Sequence, residues 1–430
     1  MTTAHVLLAA LALVFAGPAV LGITMLCQGN SRDWQARFTI LHSLCVLAAS
    51  TALLVIWWRS RAPCEVELPA LLALHEYHWV PMLLVDGWTV LYSSLIALVY
   101  PVVVRFSLPS FHREPGSLRY WFLVTLLGAS LWLLCVAGNL DTLFVAWEFV
   151  GVTSVLLIGF FRRLVRAQQN SLLTLVYYRI GDFLLLLAAV LIHHDFPDQR
   201  FLGFRDDVGS PHALAVALAL LGGSLAKSAQ LPMSPWLHRA MEGPAASSAI
   251  FYGALSVHLG PFLLLRTREL WLPQPIAGLA MLVVGAATAA WATLVGRTRP
   301  DAKTALAYST MAQIGLMYVE LALGWHTLVA VHLFAHAGLR TWQFLRSSSL
   351  IGDFQDNPVF AGSLAAQRGG SFERRLPLAW QRWLYLAASR LFWLDSCQVH
   401  WIARPFLALF RGIASLEDRL LGSGPKGGAA

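Results

Sequence analysis

One carboxylate, one ammonium and two imidazoles stand inside apolar stretches of this sequence. Glu148 sits mid-way along Leu143-Phe144-Val145-Ala146-Trp147-Glu148-Phe149-Val150-Gly151. Lys227 follows Gly222-Gly223-Ser224-Leu225-Ala226 and precedes Ser228-Ala229-Gln230-Leu231-Pro232. His332 and His336 are four residues apart, with Arg340 one turn further on. A charge at the centre of a spanning helix costs at least about 2.5–3.5 kcal/mol on insertion scales, so each needs a partner or a water-filled cavity. The chemistry open to such groups is proton exchange. A carboxylate and a buried lysine can each alternate between charged and neutral forms. Two imidazoles one helical turn apart can pass a proton directly or through water.

Each group also has a plainer reading. Glu148 and Lys227 could be fixed members of structural ion pairs. The histidines could be a structural pair, or ligands of a haem or metal, although no Cys or acidic partner lies near them in the sequence. Arg179 and Asp182 form an R-x-x-D pair, either a local salt bridge or a bias on a neighbouring buried charge. Lys303 opens a later span, at the interface or pointing inward; Glu320, near the far end of the same span, is expected to be wet. Pro232, Pro235 and Pro244 break the helix after Lys227. Transporters place ion sites at such breaks. The run Gly222–Ser228 looks like a phosphate loop but lacks the glycine before its lysine, so nucleotide binding is discounted.

The elements that hold these residues are spanning helices. Apolar residues make up 57% and charged residues 13% of the 430. A soluble domain carries about 25% charged residues, so the solvent is largely lipid. Runs long enough to cross lie near 5–27, 38–58, 82–104, 119–137, 140–161, 172–192, 213–231, 246–265, 275–295, 304–323 and 327–350. The first is too long for a signal peptide and lacks a basic leader. The 17 Trp are expected at membrane–water interfaces.

Loops after odd-numbered spans carry twelve basic residues, among them Arg105, Arg162, Arg239 and Lys303. Loops after even-numbered spans carry six: Arg59, Arg61, Arg200, Arg205, Arg266 and Arg268. That bias puts the N-terminus outside and the C-terminus in the cytoplasm. Residues 352–430 interleave Arg368, Arg374, Arg382, Arg390, Arg404 and Arg411 with Trp380, Trp383 and Trp393, a pattern expected of a helix lying on the cytoplasmic face. A twelfth span over 383–410 is interrupted by Arg390, Asp395, His400 and Arg404. The formal charge of +8 reflects loop arginines and not a nucleic-acid partner. Cys27, Cys45, Cys64, Cys135 and Cys397 contain no C-x-x-C pair, and no metal, iron–sulfur or other cofactor site is expected.

Leu143–Gly159, Tyr178–Asp182, Gly222–Trp236 with Met241-Glu242-Gly243-Pro244, Asp301–Gly315 and His332–Ile351 resemble the antiporter-like subunits of respiratory complex I, subunit L above all. The multisubunit sodium/proton antiporters are relatives. Lys227-Ser228-Ala229-Gln230-Leu231-Pro232 and Leu306-Ala307-Tyr308-Ser309-Thr310-Met311-Ala312-Gln313-Ile314-Gly315 carry the likeness most specifically.

The resemblance implies an all-α polytopic fold of about eleven transmembrane helices. It has two inverted repeats, each with a broken helix, and a central axis of buried charges. It implies N-terminal helices over 1–118, a first repeat over 119–266, a partial second repeat over 267–351 and an amphipathic tail over 352–430. Glu148 and Lys227 take the charged-pair roles, with Asp182 nearby and His332 and His336 as the connecting relay. This sequence has Tyr252 where the family usually has histidine, and Arg340 where a lysine is expected. The second broken helix and the long lateral helix have no counterpart, so the second half-channel reads as cut short.

The implied function is proton conduction in a multisubunit complex of the cell inner membrane, with no catalytic site on this chain. The expected complex is an inorganic carbon uptake system with a cytoplasmic zinc partner resembling carbonic anhydrase. A complex I-like quinone oxidoreductase or membrane hydrogenase is the alternative, and a non-conducting anchor is another. A haem-based quinol enzyme using His42, His258 or His332 has no supporting spacing.

Overall fold

The computed structural model describes residues 3–27, 32–74, 77–112, 114–195, 199–205, 211–347 and 375–420. Arg368 and Arg374 of the tail, and the close of the eleventh expected span, lie outside them. Spanning helices run over α1 (Thr3–Leu26), α2 (Arg32–Ser60), α3 (Gly87–Phe111), α4 (Ser117–Val136), α5 (Leu140–Ile158) and α6 (Val165–Asp195). Next come α7 (Ala213–Lys227), the short α8 (Pro235–Arg239), and α9 (Ala245–Arg266), which contains a π-helical turn at Ala249–Ala254. Then follow α10 (Pro275–Gly296), α11 (Ala302–Ala322) and α12 (His326–Ser347). Eight of these are long and apolar enough to cross a membrane, and α7 is a shorter apolar helix. With α11 and α12, each of the eleven expected segments contains a helix among its described residues.

Two expectations fail here. The third span does not begin at Met82. Met82–Val85 (β4) instead pairs antiparallel with Cys64–Glu67 (β1), in the register Cys64↔Val85 to Glu67↔Met82. Between them Leu72–Leu74 (β2) pairs with Tyr77–Trp79 (β3). Asp86 ends the strand and caps α3, accepting from Thr89 N at 2.8 Å. The tryptophans are not confined to interfaces either: Trp147, mid-way along α5 and against the Lys227 ammonium, is fully buried. Packing of spans against one another inside the bundle consumes large flat side chains that composition alone assigns to the rim.

The two faces can be told apart by contacts. Thr3 reaches Cys64 of β1. Asp86 meets Arg266 at the end of α9, and Trp271 packs on His326 at the start of α12. All lie on one face, called here the N-terminal face. On the other, the tail face, Arg299 donates to the carbonyls of Ala388 and Ser389. Arg239 clasps Asp395 with two bonds of 2.6 Å. The tail does not form a twelfth span. Leu378–Ser389 (α13) ends at three successive residues of positive φ, Leu391, Phe392 and Trp393. The chain then turns into the amphipathic Arg404–Leu420 (α14), none of whose residues is buried.

Prolines tie the spans together. Pro18 has no N–H, so the carbonyl of Val14, one turn earlier, loses its intrahelical donor. His42 of α2 supplies one. Its Nε2 is 2.8 Å from Val14 O and its Nδ1 is 2.9 Å from the Tyr100 hydroxyl. A carbonyl only accepts, so the ring proton sits on Nε2 and Tyr100 donates to Nδ1. Gly17 permits the approach, because a Cβ there would lie 2.1 Å from His42 Cδ2. Pro261 does the same in α9, where the freed Val257 carbonyl accepts from Ser228 Oγ at 2.6 Å. His42→Ala is expected to cost about 1–3 kcal/mol, the desolvation cost of an unpaired buried carbonyl. Thermal unfolding in detergent measures it, and a variant as stable as wild type would show that Val14 finds another donor.

Candidate functional site

Lys227 is the last residue of α7 and only 1% exposed. The helix stops there because Pro232 cannot donate to the carbonyl of Ser228. The freed backbone is satisfied by side chains. Ser228 O accepts from Gln230 Nε2 at 3.0 Å, Ala226 O from Trp236 Nε1 at 2.9 Å, and Leu231 N donates to Thr288 Oγ1 at 3.1 Å. Irregular backbone inside a bundle persists only under such cover.

The lysine ammonium donates to Trp147 O at 3.1 Å and lies 4.5 Å from the ring centre of Tyr178 and 4.8 Å from that of Trp147. Gly151 leaves room for it: a Cβ there would stand 3.2 Å from Nζ. Among the described residues no carboxylate touches it directly. The Trp147 indole separates the two, donating from Nε1 to Asp182 Oδ1 at 2.9 Å.

Arg179 is more than half of a local R-x-x-D pair. It binds Asp182 at 2.7 Å on its own helix and Glu148 at 2.5 Å on α5. Glu148, whose cation could not be found on its own span, therefore takes it from the next one. Glu148, Arg179, Asp182 and Lys227 sum to zero charge when all are ionised. Asp182 and Lys227 are buried, whereas the side chains of Glu148 and Arg179 remain 24% and 34% exposed.

From Tyr178 a run of hydroxyls leads towards α9. Its Oη is 3.3 Å from Ser154 Oγ, which is 3.4 Å from Tyr252 Oη, and it also approaches Ser256. Two residues beyond Ser256 is His258, whose Nε2 lies 2.9 Å from His336 Nδ1. His258 thus joins the histidine cluster, a role no spacing in the sequence suggested. It comes from α9, on which Tyr252 replaces the histidine that the resemblance led us to expect.

The proton positions in this cluster follow from Arg340. A guanidinium only donates, and Arg340 Nε is 2.9 Å from His336 Nε2. His336 therefore carries its proton on Nδ1 and donates it to His258 Nε2, and the His258 proton sits on Nδ1, facing the Ala254 carbonyl. Arg340 also donates to Gln343 Oε1 at 2.6 Å and to Ser309 Oγ. Ser309 and Gln343 line an open cavity of about 520 Å³ between α11 and α12.

His332 stands 6.0 Å from His336, ring centre to ring centre. Its Nδ1 is 2.9 Å from Glu320 Oε1 and its Nε2 is 3.1 Å from Gln313 Oε1. Glu320 is less wet than its place near a helix end had suggested: its side chain is 15% exposed and faces the histidine. Lys303 points inward onto backbone, donating to Met241 O at 2.9 Å and Gly243 O at 3.3 Å.

A second buried ion pair stands apart from this chain. Arg266, counted above among the loop arginines, has a side chain 1% exposed and binds Asp86 Oδ2 at 2.6 Å, Thr89 Oγ1 at 2.8 Å and Cys135 O at 2.9 Å.

Comparison with known proteins finds relatives of this chain. Residues 137–365 match the family model of the NADH:quinone oxidoreductase/Mrp antiporter transmembrane region. A probable inorganic carbon transporter subunit, DabB1, of Halothiobacillus neapolitanus is 34% identical over 279 residues, 63% of this chain and 50% of that protein. Subunit L of NADH-quinone oxidoreductase from Mycobacterium tuberculosis is 33% identical over 312 residues, covering 68% of this chain and 49% of its own. The chain thus spans about half the length of these curated relatives. Among solved structures, a chain of the Mrp complex from Dietzia superposes with a TM-score of 0.68 at 26% identity, over 79% of this chain and 37% of that one. A chain of the membrane-bound sulfane sulfur reductase, an archaeal respiratory complex, superposes at 0.69 and 16% identity over 92% and 86%, a likeness of fold alone. The buried lysine at a helix break, the histidine-bearing α12 and the matched residues agree: the chain belongs to the NADH:quinone oxidoreductase/Mrp antiporter transmembrane family.

Proposed function

We propose that this chain conducts protons as one subunit of a multisubunit complex in the cell inner membrane. One observation carries the reading: ionisable, indole and hydroxyl groups, most of them buried, follow one another across five helices. They run from Glu148 through Arg179, Asp182, Trp147 and Lys227 to Tyr178, and on through Ser154, Tyr252, Ser256 and His258 to His336. A non-conducting anchor would carry these charges at a cost with no return. Lys227 is the group that alternates between charged and neutral, Asp182 and Glu148 bias it, and the hydroxyls hand the proton to the histidines. Arg340 keeps its charge, so the departure from the expected lysine makes it a fixed donor that orients His336.

The half-exposed Glu148–Arg179 pair supports a protein neighbour. It lies on a face with exposed Phe149, Val152, Phe183 and Leu186, mid-way along α5 and α6. Bare lipid is a poor solvent for such a pair, so another subunit covers this face. The basic bias of the loops supports an N-terminus outside and a cytoplasmic tail face, and moving Arg266 out of the count strengthens it.

For the complex itself, inorganic carbon uptake with a cytoplasmic zinc partner resembling carbonic anhydrase is favoured by the DabB1 likeness. A quinone oxidoreductase is the alternative, favoured by the longer match to subunit L. Co-purification from native membranes decides between them: a zinc protein supports the first, flavin or iron–sulfur subunits the second. Conduction is tested with the purified complex in liposomes. Glu148→Gln, which removes the bias on Lys227, and His258→Leu, which removes a proton-transferring group, are each expected to lower proton flux by about 10²-fold, with assembly intact. Wild-type flux in both variants would rule the path out.

A further inference from the structure

The chain from Glu148 to His336 runs laterally through the middle of the bundle and leaves open where a proton reaches water. We infer that Glu320 is the terminal proton acceptor of the path and that, together with His332, it forms the outlet on the N-terminal face. This rests on the proposed conduction.

Position is the first observation. Glu320 lies two residues before the end of α11, and His332 is in the second turn of α12. The loop between these helices is on the N-terminal face, where Trp271 meets His326. His336 is one turn deeper. The order His336, His332, Glu320 therefore climbs from mid-depth to that face.

Hydrogen bonding is the second. His336 is held by a donor at Nε2, which leaves it neutral while Arg340 stays in place. His332 is built the other way: both its nitrogens face oxygens, one of them a carboxylate. Such a ring can hold two protons, because both N–H groups find acceptors. Two imidazoles a turn apart thus sit in opposite settings: His336 takes up and passes a proton only when Arg340 leaves its Nε2, whereas His332 can hold one where it stands.

The carboxylate is the third. Among the described residues Glu320 pairs with no arginine or lysine, only with His332. Its Oε2 is buried and has no hydrogen-bond partner. A carboxylate so placed gains by sharing a proton. The step balances simply. His332 imidazolium gives the Nδ1 proton to Glu320 Oε1, leaving a neutral ring and a carboxylic acid. The acid then releases the proton to water at the face and returns to carboxylate. Other titratable groups facing this pair are His336 and Arg340 on α12 and His258 on α9. At the rim are His326, Arg268 and Glu269.

The test uses the purified complex in liposomes, with a pH dye reporting release. Glu320→Gln keeps an oxygen for His332 Nδ1 and so preserves the fold. It is expected to cut flux at least about tenfold and to flatten its dependence on the pH of the N-terminal face, while Glu320→Asp restores much of both. Lys227→Ala runs alongside. Wild-type flux and pH profile in Glu320→Gln with an inactive Lys227→Ala overturns the outlet and leaves conduction standing. Wild-type flux in both overturns conduction itself. Should Glu320→Gln fail to assemble, His332→Gln takes its place, and wild-type flux and pH profile in that variant overturn the outlet.

Discussion

Lys227→Ala is expected to abolish proton flux, by at least about 10²-fold, without lowering the unfolding temperature of the complex by a comparable measure. The ammonium is the one group in the Glu148–Arg179–Asp182–Lys227 cluster placed to hand a proton onward, since Arg179 stays charged. Its removal leaves one cation for two carboxylates, so one of the carboxylates takes up a proton and the cluster stays neutral. Replacing a buried ion by an apolar residue is often close to neutral for stability once its partner is neutralised. Two further variants separate role from fold. Lys227→Arg keeps the charge but cannot release it, and it crowds Gly151, so it is expected to be as inactive as alanine. Lys227→Ala/Asp182→Asn restores charge balance and should be more stable than Lys227→Ala while remaining inactive. Flux near wild type in Lys227→Ala would show that protons, if they move at all, move elsewhere.

Arg266→Ala is expected to be the most destabilising single change in the bundle. The side chain joins α9 to the capped start of α3 and the end of α4 through Asp86, Thr89 and the Cys135 carbonyl. Breaking a buried pair by removing one partner costs about 3–5 kcal/mol, because the other charge is stranded. Asp86→Asn keeps a cap for Thr89 N but strands the guanidinium, so it should lose a similar amount. The double variant Arg266→Met/Asp86→Asn should recover a large part of the loss. Thermal unfolding in detergent reads all three, and an Arg266→Ala variant within about 0.5 kcal/mol of wild type, the range of a harmless surface change, would mean that water reaches Asp86. Proton flux per assembled complex is expected to change little, since this cluster is separate from the Lys227 path.

What was legible in the sequence was whatever depends on neighbours along the chain. Apolar runs located the eleven longer helices among α1–α12, because lipid demands that each segment satisfy its own backbone. Pro232 after Lys227 marked the helix break, because a missing N–H acts four residues back. The spacing of His332, His336 and Arg340 put them on one face, because helical period is local. Partners were not legible. Arg179 read as the mate of Asp182, since that pair is three residues apart, whereas its bond to Glu148 spans 31 positions. Arg266 read as a loop arginine where an apolar run ended, yet its carboxylate is 180 residues away. His258 had no spacing to recommend it, since its partner His336 is 78 residues on. Glu320 looked wet because it stood near a helix end, and only the fold of α11 against α12 turned it onto His332. By itself the sequence determined that this chain is a bundle of spanning helices with titratable groups at mid-depth. The tertiary structure alone decided which groups touch, because a buried charge is matched by whatever the packing of distant helices brings within hydrogen-bond reach.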